Sequence, residues 1–203
     1  MNKSMLKVGG VSAIAVAVSL ALSACGGGGE RFSKVAHDGS ILSADAEEWS
    51  CVRDSETGLL WMVHNEEEGS LYYKGNTLTW YDPDAEGYAG VEDGGQCSGS
   101  RCDTAGFVEA VNEDGLCGKQ NWRLPHRDDH FTLNGAIFGE SLSSMSGEYR
   151  DALELFGPTE WGWSSAMSGG AGNFMRIRLR HRVSSQARHA TDEWTGARLV
   201  ADN

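Results

Sequence analysis

Positive charge is scarce in this chain: 17 lysines and arginines face 29 aspartates and glutamates, for a formal charge of -12. Such a balance favours solubility and excludes nonspecific binding to nucleic acid. Collagen-type triplets, heptads and solenoid repeats are also missing, which excludes a stalk or a stacked array. There is no paired CxxC of a structural zinc site, no Gly-x-Ser-x-Gly elbow and no EF-hand loop. With no catalytic set in view, neither an enzyme activity nor a cofactor is expected.

What is there begins with an apolar run, VGGVSAIAVAVSLALSA, at residues 8–24, preceded by Lys3 and Lys7. It is short and rich in small residues, which fits a signal peptide better than a membrane span. Its end, LSAC at residues 22–25, resembles the bacterial lipobox, whose cysteine takes a lipid and begins the mature chain. Residues 1–24 are therefore expected to be a lipoprotein signal peptide and Cys25 the lipidation site, with ordinary cleavage near Ala24 as the alternative. Gly26, where sorting to the inner membrane would want Asp, points to the outer membrane or cell surface. The membrane is then one partner, reached through the N-terminal lipid. Residues 25–48 read as a Gly-rich tether and lead-in, and residues 49–203 as one domain with room for a core. Loss of residues 1–24 would leave 15 positive against 29 acidic residues, a charge of -14.

Four further cysteines remain: Cys51, Cys97, Cys102 and Cys117. In an exported protein an even count reads as two disulfides, with three possible connectivities. Cys97 and Cys102 bracket SGSR, a loop that can close locally. Cys51 and Cys117 would then tie the first strand region to the middle of the chain.

Periodicity supplies the elements. WSCVRDSETGLLWMV predicts a hairpin turning at residues 54–58. The Gly- and Asp-rich LTWYDPDAEGYAGVEDGGQCSGSRC, residues 78–102, reads as a long insertion loop. DTAGFVEAVNEDG predicts a helix capped by Asp103 and ended by Gly115, weakened by Gly106 by about 1 kcal/mol relative to alanine. SGEYRDALELFGP predicts a second, with Tyr149, Ala152, Leu153 and Phe156 on one face. TEWGWSSAM, NFMRIRLRHRV and WTGARLVA read as closing strands. A few strands, two helices and long loops make an α+β domain.

Several ordered motifs then stand together: Asp54 and Thr57-Gly58-Leu59 ahead of Trp61, Thr79-Trp80, Cys117-Gly118 with Asn121-Trp122-Arg123-Leu124-Pro125, Trp163-Ser164-Ser165 and Arg198-Leu199-Val200. In this set the chain resembles the Lcl C-terminal domain family, named for the domain that ends a collagen-like bacterial adhesin. The resemblance implies a C-type-lectin-like compact domain with a small antiparallel sheet, two helices and long loops, in which the first and last strands pair. It implies an exported or surface protein, and the founding adhesin binds sulfated glycosaminoglycans as a trimer. Without a Gly-X-Y stalk, trimerisation does not carry over. HRDDHFTLNG also stands where the family continues after WRLP with a Glu-Leu helix. Trp61, Trp122 and Trp163 are expected in or under the core, and Arg123 as a buried hydrogen-bonding fork.

Two groups of possible metal ligands read better as structure. His126 and His130 are four apart, but Arg127 stands where a zincin needs its general-base Glu. Asp82, Asp84, Glu92, Asp93 and Asp103 supply hard oxygens without calcium-loop spacing, so a solvated acidic loop is favoured.

The remaining candidate is a comb of four arginines, Arg176, Arg178, Arg180 and Arg182, at every second position. On a strand they share one face, while Met175, Ile177, Leu179 and Val183 share the other with His181. Arg188 and Arg198 would extend the strip. Exposed pairs with acids would contribute only ~0.2–1 kcal/mol each, whereas guanidinium forks dock sulfate, carboxylate or phosphate bidentately. The expected function is a lipid-anchored envelope module that contacts an anionic polysaccharide, such as a sulfated glycan, through these residues. The alternative is an envelope assembly component that uses them on an acidic protein partner.

Overall fold

A computed structural model describes residues 31–138, 154–157, 162–167, 173–178, 184–189 and 195–203. The central layer is an antiparallel sheet of four strands: β1 (Phe32–Val35), β2 (Cys51–Asp54), β3 (Leu59–Met62) and β7 (Val200–Asp202), in the order β1-β2-β3-β7. The predicted hairpin is β2 and β3. Asp54 makes its turn, accepting from the Glu56 amide at 3.0 Å through its carboxylate and from Gly58 N at 3.0 Å through its carbonyl. The lead-in, for which the sequence predicts no element, supplies β1 along β2. β7 pairs with β3, so the first and last strands lie at opposite edges of the sheet instead of side by side.

Both faces of this sheet are covered, which explains why CV and LLWM read as unbroken apolar runs. Leu60, Met62 and Ala201 pack on one side with Phe107, Val111, Leu116 and Trp122. Val52, Trp61 and Val200 pack on the other with Leu133 and Phe156. Trp61, Trp122 and Trp163 are all buried, as expected. Each large side chain so enclosed contributes roughly 1.5–3 kcal/mol.

Helix α1 (Thr104–Asp114) has the predicted caps: Asp103 accepts from Gly106 N at 2.7 Å, and Gly115 closes the end in the left-handed region. Gly106 is required there, because a Cβ on it would come within 2.5 Å of the Arg101 Cβ. The Cys51–Cys117 disulfide ties β2 to the turn after α1, and Cys97–Cys102 closes the short loop.

The second described helix is α2 (Arg127–Phe138), which the sequence does not predict. Its inward face is only partly apolar, since buried His130 occupies a core position one turn before Leu133. The predicted helix at residues 146–158 lies mostly outside the described residues; residues 154 and 155 are helical, and Phe156 is fully buried. A second sheet holds β4 (Gly162–Met167), β5 (Asn173–Arg178) and β6 (Ser184–His189), with β5 in the middle. It joins the body through a bridge between Gly162 and Gly196 and through Trp163, whose indole donates to the Leu78 carbonyl at 2.6 Å. Among the described residues no helix is long and apolar enough to cross a membrane.

Candidate functional site

Strand β5 carries the first half of the arginine comb. Arg176 and Arg178 take alternate positions, and β6 runs beside them with Gln186 opposite Arg176 and Ser184 opposite Arg178. Antiparallel partners share a face, so Arg188, opposite Phe174, belongs to the same one. That face of the three-stranded sheet therefore holds Arg176, Arg178 and Arg188 with Ser184 and Gln186. On the other side Arg176 pairs with Trp163, which is buried. Arg180 and Arg182 lie outside the described residues, as do Cys25 and the signal segment.

Arg198 does not extend this strip. It is 6% exposed and sits in the body, where burial pushes its guanidinium down to about 10. Around it lie His64 and His130, both driven down to about 3 by burial and then by the Arg198 charge. This basic group inside an acidic protein has no periodic signal in the sequence. Only the partial match of α2 to an amphipathic pattern hints that a histidine fills a core position.

His126 is exposed and His130 buried, so the two histidines do not present a common face to solvent. Among the described residues no three His, Cys, Asp or Glu side chains converge as metal ligands would. The acids of the long loop are instead hydrogen-bonding staples. Asp93 accepts from Cys102 N at 2.7 Å, Asp103 accepts from Asp93 N at 3.0 Å, and Glu92 pairs with Arg101 at 2.9 Å. Asp103 is fully buried, so the loop is not simply a solvated acidic stretch. Arg123 does not fork its bonds: one terminal nitrogen donates both to Asp129 at 2.8 Å and to the Leu124 carbonyl at 3.3 Å. Its side chain is 42% exposed rather than buried.

One polar constellation was invisible in the sequence because its members are far apart. Asp114, at the end of α1, accepts from the Tyr72 hydroxyl and meets His37 Nε2 at 2.7 Å. Partial burial and then the Asp114 carboxylate push the Tyr72 phenol well above its usual range, and the Tyr72 bond holds the Asp114 carboxyl below its own. The contact ties the lead-in and the segment after β3 to α1.

No curated protein and no solved structure matches the chain significantly. A family model described as the Lcl C-terminal domain matches residues 50–197. The matched span takes in the hairpin, both disulfides, both helices and the whole three-stranded sheet, and on that match the chain belongs to the Lcl C-terminal domain family.

Proposed function

We propose that this protein is a lipid-anchored module of the bacterial envelope or surface, of C-type-lectin-like fold, that binds anionic and in particular sulfated glycans. The observation that carries the reading is the register of β5 against β6, which gathers Arg176, Arg178 and Arg188 on one face. Because Trp163 occupies the β4 side, the ligand would run along β5 and β6. Arg180 and Arg182 would continue the row at about 6–7 Å per repeat. Support for export comes from the LSAC tetrapeptide and from two disulfides, which suit an oxidising compartment. The anchor would place the protein in the outer membrane or at the cell surface, and the module needs no catalysis.

Chromatography of the full-length chain in detergent on immobilised heparin tests this. Retention at low ionic strength should fall steeply with salt, as it does for polyanion contacts, and R176E/R178E should abolish it. Absence of retention at about 50 mM salt would overturn the reading. Capture of an acidic envelope protein by the wild type but not by R176E/R178E, with no retention on heparin, would assign the arginines to a protein partner instead.

A further inference from the structure

A cleft of about 320 Å³ opens between β1 and the turn after α1, far from β5 in sequence. Its floor is two main-chain segments pressed together. A Cβ on Gly39 would lie 2.9 Å from the Cys117 carbonyl oxygen, and one on Gly118 would lie 3.2 Å from that of Asp38. The Cys51–Cys117 bond fastens the same turn to β2.

Two cations line this cleft, Arg53 from β2 and Lys119 from the turn. Among the described residues Arg31, Lys74, Arg101, Arg123 and Arg127 each hold a carboxylate, and Lys34 is spent on the Ala44 and Ala46 carbonyls instead. Among the described residues Arg53 and Lys119 hold none. Arg53 is aimed by Asn203, whose amide oxygen accepts from Nε at 2.9 Å and from one terminal nitrogen at 3.1 Å. A guanidinium has five N–H donors, so three remain, and Lys119 adds three of its own. The one side-chain carboxylate on the lining, Asp38, is committed to its own loop through Ser40 N at 2.9 Å and Ser40 Oγ at 2.6 Å. Buried Val35 and Leu60 lie beneath the cleft, and half-exposed Ile41 stands at its side.

We propose that this cleft is a binding site for a small oxyanion, a carboxylate or a sulfate ester, held by Arg53 and Lys119. Arg53 supplies the planar fork and Lys119 a mobile point charge, the pairing that suits one tetrahedral or planar anionic group. The site is separate from the β5 face and stands whether or not that face binds glycan.

The test is a titration of the ¹⁵N-labelled full-length chain in detergent, at low ionic strength, with sodium sulfate in one arm and sodium glucuronate in the other. At least one arm should give saturable shifts at the Gly39, Gly118 and Lys119 amides, and the tighter arm assigns the group as sulfate ester or carboxylate. R53Q and K119Q should each weaken binding about tenfold, and K119R should retain it. R176Q/R178Q should leave these shifts unchanged while removing any retention on heparin, so the two sites fail separately. Unsaturable shifts with both probes, or unchanged affinity in R53Q/K119Q, would overturn the proposal; the wild-type arms decide even if a variant fails to fold.

Discussion

The ring of His130 lies 5.6 Å, centroid to centroid, from that of Trp61, and among the described residues neither imidazole nitrogen has a hydrogen-bonding partner. A buried polar ring held this way is tolerated only while it stays neutral.

Protonation of that ring must therefore oppose the fold. Burial, then the Arg198 charge, put the folded-state value of His130 near 3, against about 6.5 when unfolded, and His64 behaves alike. Between those values the unfolded chain binds more protons, so stability is fully present above about pH 6.5 and is lost as pH falls toward 3. The slope reaches about 1.4 kcal/mol per pH unit for each histidine. Urea midpoints measured from pH 8 to pH 4 should show it, and H130L should remove one share while raising stability at pH 7 by ~1 kcal/mol. Equal midpoints at pH 7 and pH 4.5 would contradict the burial.

Asp54 carries a different load. Its carboxylate is fully buried and takes Arg31 Nε at 2.8 Å and a terminal nitrogen at 2.7 Å. Burial alone would raise its pKa, but Arg31 and the Glu56 amide hold it below the usual carboxylate range. Its contribution is therefore present above about pH 4 and lost as pH falls below. D54N should cost about 2–4 kcal/mol in chemical denaturation at pH 7, since it leaves Arg31 without its main partner. A cost below that of a surface ion pair would show the clamp to be unimportant.

The two disulfides should differ in weight. Cys51 and Cys117 are 66 residues apart and Cys97 and Cys102 five apart. Chain-entropy reasoning gives about 4 kcal/mol for the long loop and about 2 for the short one. C51S/C117S should therefore lower the melting temperature well beyond C97S/C102S, a ranking that differential scanning calorimetry can reverse.

Gly106 separates local preference from packing. Helix propensity alone makes G106A stabilising by about 1 kcal/mol. The Arg101 main chain and Cβ stand too close for a methyl group, with the Arg101 carbonyl oxygen 3.1 Å from a Cβ placed there. Overpacking should win, and G106A should destabilise by roughly 1–3 kcal/mol. An increase in the denaturation midpoint would show that the loop yields.

The parts legible in the sequence were those with a local rule. The hairpin announces itself because Asp54 and Gly58 bracket a turn between apolar arms, and α1 because Asp103 and Gly115 are cap residues at the right spacing. β1 and α2 escaped for opposite reasons. FSKV is too short to show alternation, and it forms an edge strand through its partner β2. α2 hides its inward face by placing a histidine where a hydrophobe is expected. Of the candidate site, strand geometry was readable for Arg176 and Arg178, while the burial of Arg198 depends on long-range packing that no spacing reveals. The cleft escaped because Arg53 and Lys119 are brought together by a disulfide and by two loops meeting at glycines.

Arg31 stands where the Gly-rich segment ends and β1 begins, gripped by Asp54 and, at 2.5 Å, by Glu56. Tension applied to the chain ahead of residue 31 would meet this ion pair together with the Ser55 amide, which donates to the Arg31 carbonyl at 2.9 Å. The guanidinium would thus share such a load with the hairpin turn, ahead of the rungs that join β1 to β2.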